Sequence, residues 1–217
     1  AIKNAITDKT KAIVPVHLFG QVANMDEILA IAKENNLFVI EDNAQAIGAN
    51  YTFADGTSKK AGSIGDVGCT SFFPSKNLGA FGDGGAIFTN NDELAEQLKV
   101  IVNHGMTVRY YHDYVGVNSR LDSMQAAVLK VKLAHLDDFA KARNFAANYY
   151  NEAFATCKNI ITPMTADFTD HVFHQYTMKL VDVDRDGLQK HLMDKGIANA
   201  VYYPVALHMQ KAYQDAR

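Results

Sequence analysis

One lysine stands where an amine could do covalent chemistry. A β-branched and aromatic run (Val67, Thr70, Phe72, Phe73) ends at Pro74, Lys76 follows, and glycines at Gly79, Gly82, Gly84 and Gly85 close the segment. A strand therefore delivers one amine into a tight, backbone-rich loop. On base rates a lysine is a solvated surface residue. Among apolar residues and glycines, burial disfavours the ammonium form and lowers the pKa, as a nucleophilic Schiff-base lysine requires. A carboxylate accompanies it. Residues 37–41 read LFVIE, a short apolar strand ending in Asp42, Asn43, Ala44 and Gln45, and α/β folds collect their ligands at the carboxyl ends of strands. A lysine for an aldehyde and a carboxylate for a ring nitrogen are the two groups that pyridoxal phosphate demands of a protein.

Elements of matching period must position these groups. Residues 12–16 form a β-rich apolar run, and Gly20 turns the chain. Met25, Ile28, Leu29, Ile31 and Ala32 then recur at helical spacing until Asn35 and Asn36, and the strand into Asp42 follows. Strand, helix and strand in about 30 residues make a βαβ unit with parallel strands and a right-handed crossover. Residues 51–64 read as a polar hairpin or surface excursion, 86–89 as a strand, and 91–103 as a helix capped by Asn90 or Asn91 with an apolar stripe of Leu94, Leu98, Ile101 and Val102. The tyrosine-rich stretch 106–116 is too irregular for an element and reads as a long loop crossing to another subunit. A long helix begins near Leu121 and continues past Tyr150. Downstream, 176–181 and 200–203 read as strands around a helix at 185–195. The expectation is an α/β large domain at 1–120 with a mostly parallel sheet, a connecting helix at 121–156, and a smaller α+β domain at 157–217.

Composition excludes several classes. With 24 acidic against 21 basic residues, the net charge of -3 gives no electrostatic reason to expect nucleic acid or an anionic membrane. No apolar run reaches membrane-spanning length and no signal segment opens the chain, so a cytoplasmic location is expected. Cys69 and Cys157 offer neither a disulfide framework nor paired metal ligands. His171 and His174, in HVFH, lack further ligands and read as ordinary surface or core histidines, so no metal is expected. The glycines of GAFGDGG have neither dinucleotide-fold nor P-loop spacing. The first residue is alanine, which suggests a piece of a longer protein.

Asp42 and Gln45 in EDNAQ, Lys76 in SFFPSKNLGAFGDGG, and the GVNSR of residues 116–120 together resemble the DegT/DnrJ/EryC1/StrS sugar-nucleotide aminotransferases, pyridoxal phosphate enzymes of fold type I. The resemblance covers essentially the whole chain, and roughly the first quarter to third of a family member and its last portion are absent. It implies that Lys76 forms the Schiff base and Asp42 pairs with the pyridine nitrogen. It further implies that Gln45 packs over the ring, that Ser71 binds the phosphate, and that Asn118 reaches the phosphate of the other subunit in a homodimer. Arg120 becomes a candidate for an anionic substrate group or a structural ion pair, and Tyr203 and His208, in YYPVALH, for contacts to a nucleotide-linked sugar. Asn43 stands where the family usually has alanine. The implied activity is transamination of a nucleotide-linked keto-sugar from an amino acid donor such as L-glutamate, for surface polysaccharide or related glycans. Another pyridoxal phosphate reaction, of aldolase or desulfurase type, and a non-catalytic regulator are the alternatives.

Overall fold

The computed structural model describes residues 1–214; the last residues of the expected C-terminal domain, 215–217, lie outside the described residues. In chain order the elements are α1 (Ile2–Ala5), β1 (Ala12–Ile13), α2 (Met25–Glu34), β2 (Phe38–Asp42), β3 (Asn50–Thr52), β4 (Ser58–Lys60), β5 (Val67–Ser71), β6 (Gly85–Phe88), α3 (Asp92–Val102), β7 (Met106–Val108), β8 (Tyr111–His112), α4 (Ser123–Leu133), α5 (Leu136–Phe154), β9 (Ile160–Ile161), β10 (Lys179–Leu180) and α6 (Arg185–Asp194). The described residues pack as two units, 1–149 with 164–176 and 150–163 with 177–214.

The first unit is built on a four-stranded sheet of order β1-β2-β5-β6, parallel except for β6. Helix α2 starts where Asn24 accepts the Glu27 N–H and Asp26 and Glu27 place charge against the helix dipole. It buries Met25, Ile28 and Ala32, and the chain leaves it through Asn36 in a left-handed conformation (φ 53°). Met25, Ile28, Ala32, Val39, Tyr51, Ile64 and Val172 form one core; Phe72, Leu78, Ala80, Leu129 and Leu136 form a second. Tyr51 is fully buried on the antiparallel hairpin of β3 and β4. Its hydroxyl donates to Asp26 Oδ2 (2.9 Å) and accepts the Asp26 N–H (3.0 Å), tying the hairpin to the first turn of α2. Tyr51→Phe strands that N–H and is expected to cost about 1–3 kcal/mol; a urea unfolding midpoint equal to wild type would contradict this.

Three local readings change. Residues 106–116 are not wholly irregular: β7 and β8 pair antiparallel across Tyr110, whose φ of 71° makes the turn. The single long helix over 121–156 is two helices, α4 ending at Leu133 and α5 starting at Leu136, and residues up to Tyr149 belong to the first unit. In the second unit β10 is two residues long, paired antiparallel with β9, and no strand forms at 200–203. The apolar residues there carry no partner strand to complete a ladder.

Candidate active site

Asp42 is the last residue of β2, and in the parallel register with β5 it lies opposite Cys69. Ser71 ends β5 at the same edge of the sheet. Five residues on, past the Pro74 turn, the half-buried Lys76 is held by its N–H to the Phe73 carbonyl (2.9 Å). Burial pushes the Lys76 amine below its ordinary pKa, and the negative field of Asp42 only partly restores it. The same carboxylate, after burial, pushes the Cys69 thiol up. The structure thus brings an amine, a carboxylate and a hydroxyl to the carboxyl ends of adjoining parallel strands.

The other expected cofactor contacts divide. Gln45 is buried, and its Oε1 accepts the Phe19 N–H (2.5 Å). Ser71 Oγ accepts the Phe73 N–H (3.2 Å), which leaves its O–H to donate. Asp42 Oδ1 accepts the Ala44 N–H (3.0 Å). Asn118 is exposed and bridges antiparallel to Asn103; Arg120 is exposed and lines a cavity of about 990 Å³ with Lys60, Lys99 and the β6 strand, a cavity that includes neither Lys76 nor Asp42. Lys76 instead lines a smaller hollow of about 520 Å³ with Asn77, Lys132 and Arg143. Tyr203 and His208 are exposed residues of the second unit.

Behind Lys76 stands a polar layer that sequence reasoning missed. Asn77 donates to the Val172 carbonyl (3.2 Å) and faces His174 Nδ1 through its Oδ1 (3.1 Å). Arg143 donates to the carbonyls of Phe173 and His174 (3.0 and 3.1 Å). Burial lowers His171 and His174 to about 4, and for His174 the Lys76 and Arg143 charges add to it. Their HVFH spacing was visible, but its partners lie far off along the chain, Arg143 about 30 residues upstream and Asn77 nearly a hundred.

A sequence model described as the DegT/DnrJ/EryC1/StrS aminotransferase family matches residues 1–217. The chain belongs to that family. Among family relatives it is 50% identical over 214 residues, 98% of this chain and 56% of the other, to a Geobacillus stearothermophilus protein named "Pleiotropic regulatory protein". It is 46% identical over 212 residues to a UDP-N-acetyl-3-dehydro-alpha-D-glucosamine 3-aminotransferase of Acidithiobacillus ferrooxidans, covering 98% of this chain and 55% of that protein. Its fold matches the crystal structure of DesV of S. venezuelae, in complex with a ketimine intermediate, with a TM-score of 0.91 at 44% identity over 98% of this chain and 55% of that one. The chain therefore spans a little over half the length of these family members. The chemistry of Lys76, Asp42 and Ser71 fits pyridoxal phosphate: an amine of lowered basicity, a carboxylate acting on it, and a hydroxyl free to donate.

Proposed function

We propose that the full-length protein is a pyridoxal phosphate-dependent aminotransferase acting on a UDP- or dTDP-linked keto-sugar at C3, with L-glutamate as amino donor, making amino sugars for surface polysaccharide or related glycans in the cytoplasm. The carrying observation is the half-buried Lys76, depressed by burial and facing the field of Asp42 at the strand ends. The names of relatives point the same way: one acts on a UDP-linked 3-dehydro sugar. Bound pyridoxal phosphate supplies an aldehyde and a ring that withdraws electrons from the reacting carbon. Lys76 Nζ would hold the group at rest and, as a neutral amine, would carry the proton from the donor's α-carbon to the carbon of the cofactor's former aldehyde. Asp42 would accept from the ring nitrogen and keep it charged, Ser71 would donate to the phosphate, and Gln45 would lie against the ring.

The assembly belongs to the same proposal: a homodimer in which Asn118 reaches the partner's phosphate site and Arg120, Tyr203 and His208 meet the nucleotide sugar. Val108, Tyr110, Tyr111, Tyr114 and Val115 are all more than half exposed on the stretch leading to Asn118, an apolar surface suited to a second copy. The domain plan carried forward is a large domain over 1–120, a connecting segment over 121–156 made of two helices, and a small domain over 157–217, of which 164–176 packs with the first unit.

The test is the visible absorbance of the full-length protein with pyridoxal phosphate, before and after glutamate. A band that glutamate bleaches supports the reading. A band indifferent to every amino donor leaves the cofactor and removes the transfer; no band favours the regulatory reading that the name of the 50% identical relative suggests. Asp42→Asn keeps the shape and removes the charge, and is expected to slow the glutamate half-reaction about 10²–10³-fold with Lys76 still attached. A half-reaction within a few-fold of wild type would remove Asp42 from the role.

A further inference from the structure

Asp42 and Gln45 stand on a buried charged group, the glutamate that opens EDNAQ. Glu41 precedes Asp42 in β2 and shares the opposite face with Val39; its side chain is fully buried. Both carboxylate oxygens are saturated with donors. Oε1 accepts the N–H groups of Ile64 (2.6 Å) and Gly65 (2.7 Å), and Oε2 accepts that of Gly62 (2.7 Å) and lies 2.8 Å from His17 Nε2. A protonated carboxyl would point an O–H at a donor, so the site holds the anion. His17, also fully buried, accepts the Ala23 N–H on Nδ1 (3.2 Å), so its proton sits on Nε2 and is donated to Glu41. The imidazole is then neutral, and the anion is held by dipoles, with no cation against it among the described residues. Burial alone would raise the Glu41 pKa; the His17 bond and the Gly65, Gly62 and Ile64 amides outweigh it, and the net shift is downward.

Such a group is an expensive way to stabilise a core, since well-packed apolar side chains serve that end as well or better. Its placement suggests another role. The His17 N–H donates to the Asp42 carbonyl (3.0 Å), and the Asp42 N–H to Pro15 (2.9 Å), so residues 15–17 run along the end of β2. Two residues on, Phe19 is forced into a left-handed conformation (φ 59°) and gives its N–H to Gln45 Oε1. On the other flank Gly68 is the residue of β5 opposite Glu41; a Cβ there would stand 2.0 Å from the Gly62 carbonyl oxygen. That close approach lets the 62–65 turn lay its amides on Glu41.

We propose that Glu41 and His17 are positioning residues, clamping the end of β2, the 62–65 turn and the 17–20 segment into one seat that aims Asp42 and Gln45. The assignment rests on the reading above in taking those two side chains to face the cofactor. Glu41→Gln keeps the shape, but whichever way the amide is turned its NH2 meets N–H donors. His17→Gln retains an N–H able to reach Glu41 and loses only the Ala23 acceptor. In full-length apo-protein, hydrogen exchange is expected to rise at least about tenfold in residues 17–20 and 42–46 of Glu41→Gln, with α3 unchanged. Pyridoxal phosphate is expected to bind about tenfold or more weakly, with a weakened circular dichroism band from the held ring, and His17→Gln to show the smaller loss. Should Glu41→Gln fail to fold, the His17→Gln exchange pattern decides. Unchanged local exchange and affinity, or exchange raised uniformly across the protein, overturns the positioning role. Wild-type protein that takes up no pyridoxal phosphate overturns the functional reading instead, and the exchange pattern still decides whether the seat exists.

Discussion

Lys76→Ala in the full-length protein is expected to leave no borohydride-fixed pyridoxal adduct and to slow transamination by at least about 10³-fold, because one side chain supplies both the covalent anchor and the proton carrier. Its setting argues for both roles: half burial lowers its basicity, and the Asp42 field keeps that lowering moderate. The measurement is peptide mass spectrometry after reduction, beside the glutamate half-reaction followed by absorbance. Wild type should carry the adduct on the peptide containing Lys76. Lys132 is the control built into the fold, since it lines the same hollow and gives its amine to the Gly79 carbonyl. An adduct found on Lys132, or activity surviving in Lys76→Ala, would overturn the assignment.

Acid is expected to weaken the fold in a window set by two histidines. His171 and His174, with folded pKa values of about 4 against 6.5 for the free side chain, are held neutral by burial. Between about pH 6.5 and 4 the unfolded chain binds protons that the folded chain refuses, so stability is greatest above that range and falls as pH falls through it. The loss reaches roughly 3 kcal/mol for each histidine by pH 4. Below that the histidine contribution levels off. Glu41, lowered from 4.5, keeps its stabilisation above 4.5 and loses it only as pH drops through its own depressed value. Urea unfolding followed by far-UV circular dichroism from pH 7 to about 4.5 reads the effect; a midpoint flat across that interval would mean that the two rings are not held neutral in the folded protein.

The βαβ unit from β1 to β2 was legible because its signals are local: the 3.6-residue recurrence of Met25, Ile28 and Ala32, the stop at Asn35 and Asn36, and the apolar run into Asp42. The hairpin at β3 and β4 and the Asn91 cap of α3 were readable for the same reason. The break at Ala134 and His135 was not, since both residues are compatible with a helix and it is packing that divides α4 from α5.

By itself the sequence determined the chemistry on offer: a lysine after an aromatic strand, a carboxylate at a strand end, and spacings that marked both as a site. Only the tertiary structure decided what surrounds them. The Glu41 carboxylate looked like the last residue of an apolar strand until the 62–65 amides and His17 came to rest on it, from 24 residues upstream and more than 20 downstream. Asn77 and His174, 97 residues apart, meet behind Lys76. Side-chain type and spacing are written along the chain; burial and hydrogen-bond partners are set between distant segments, and those set the charge state and aim of the reactive groups.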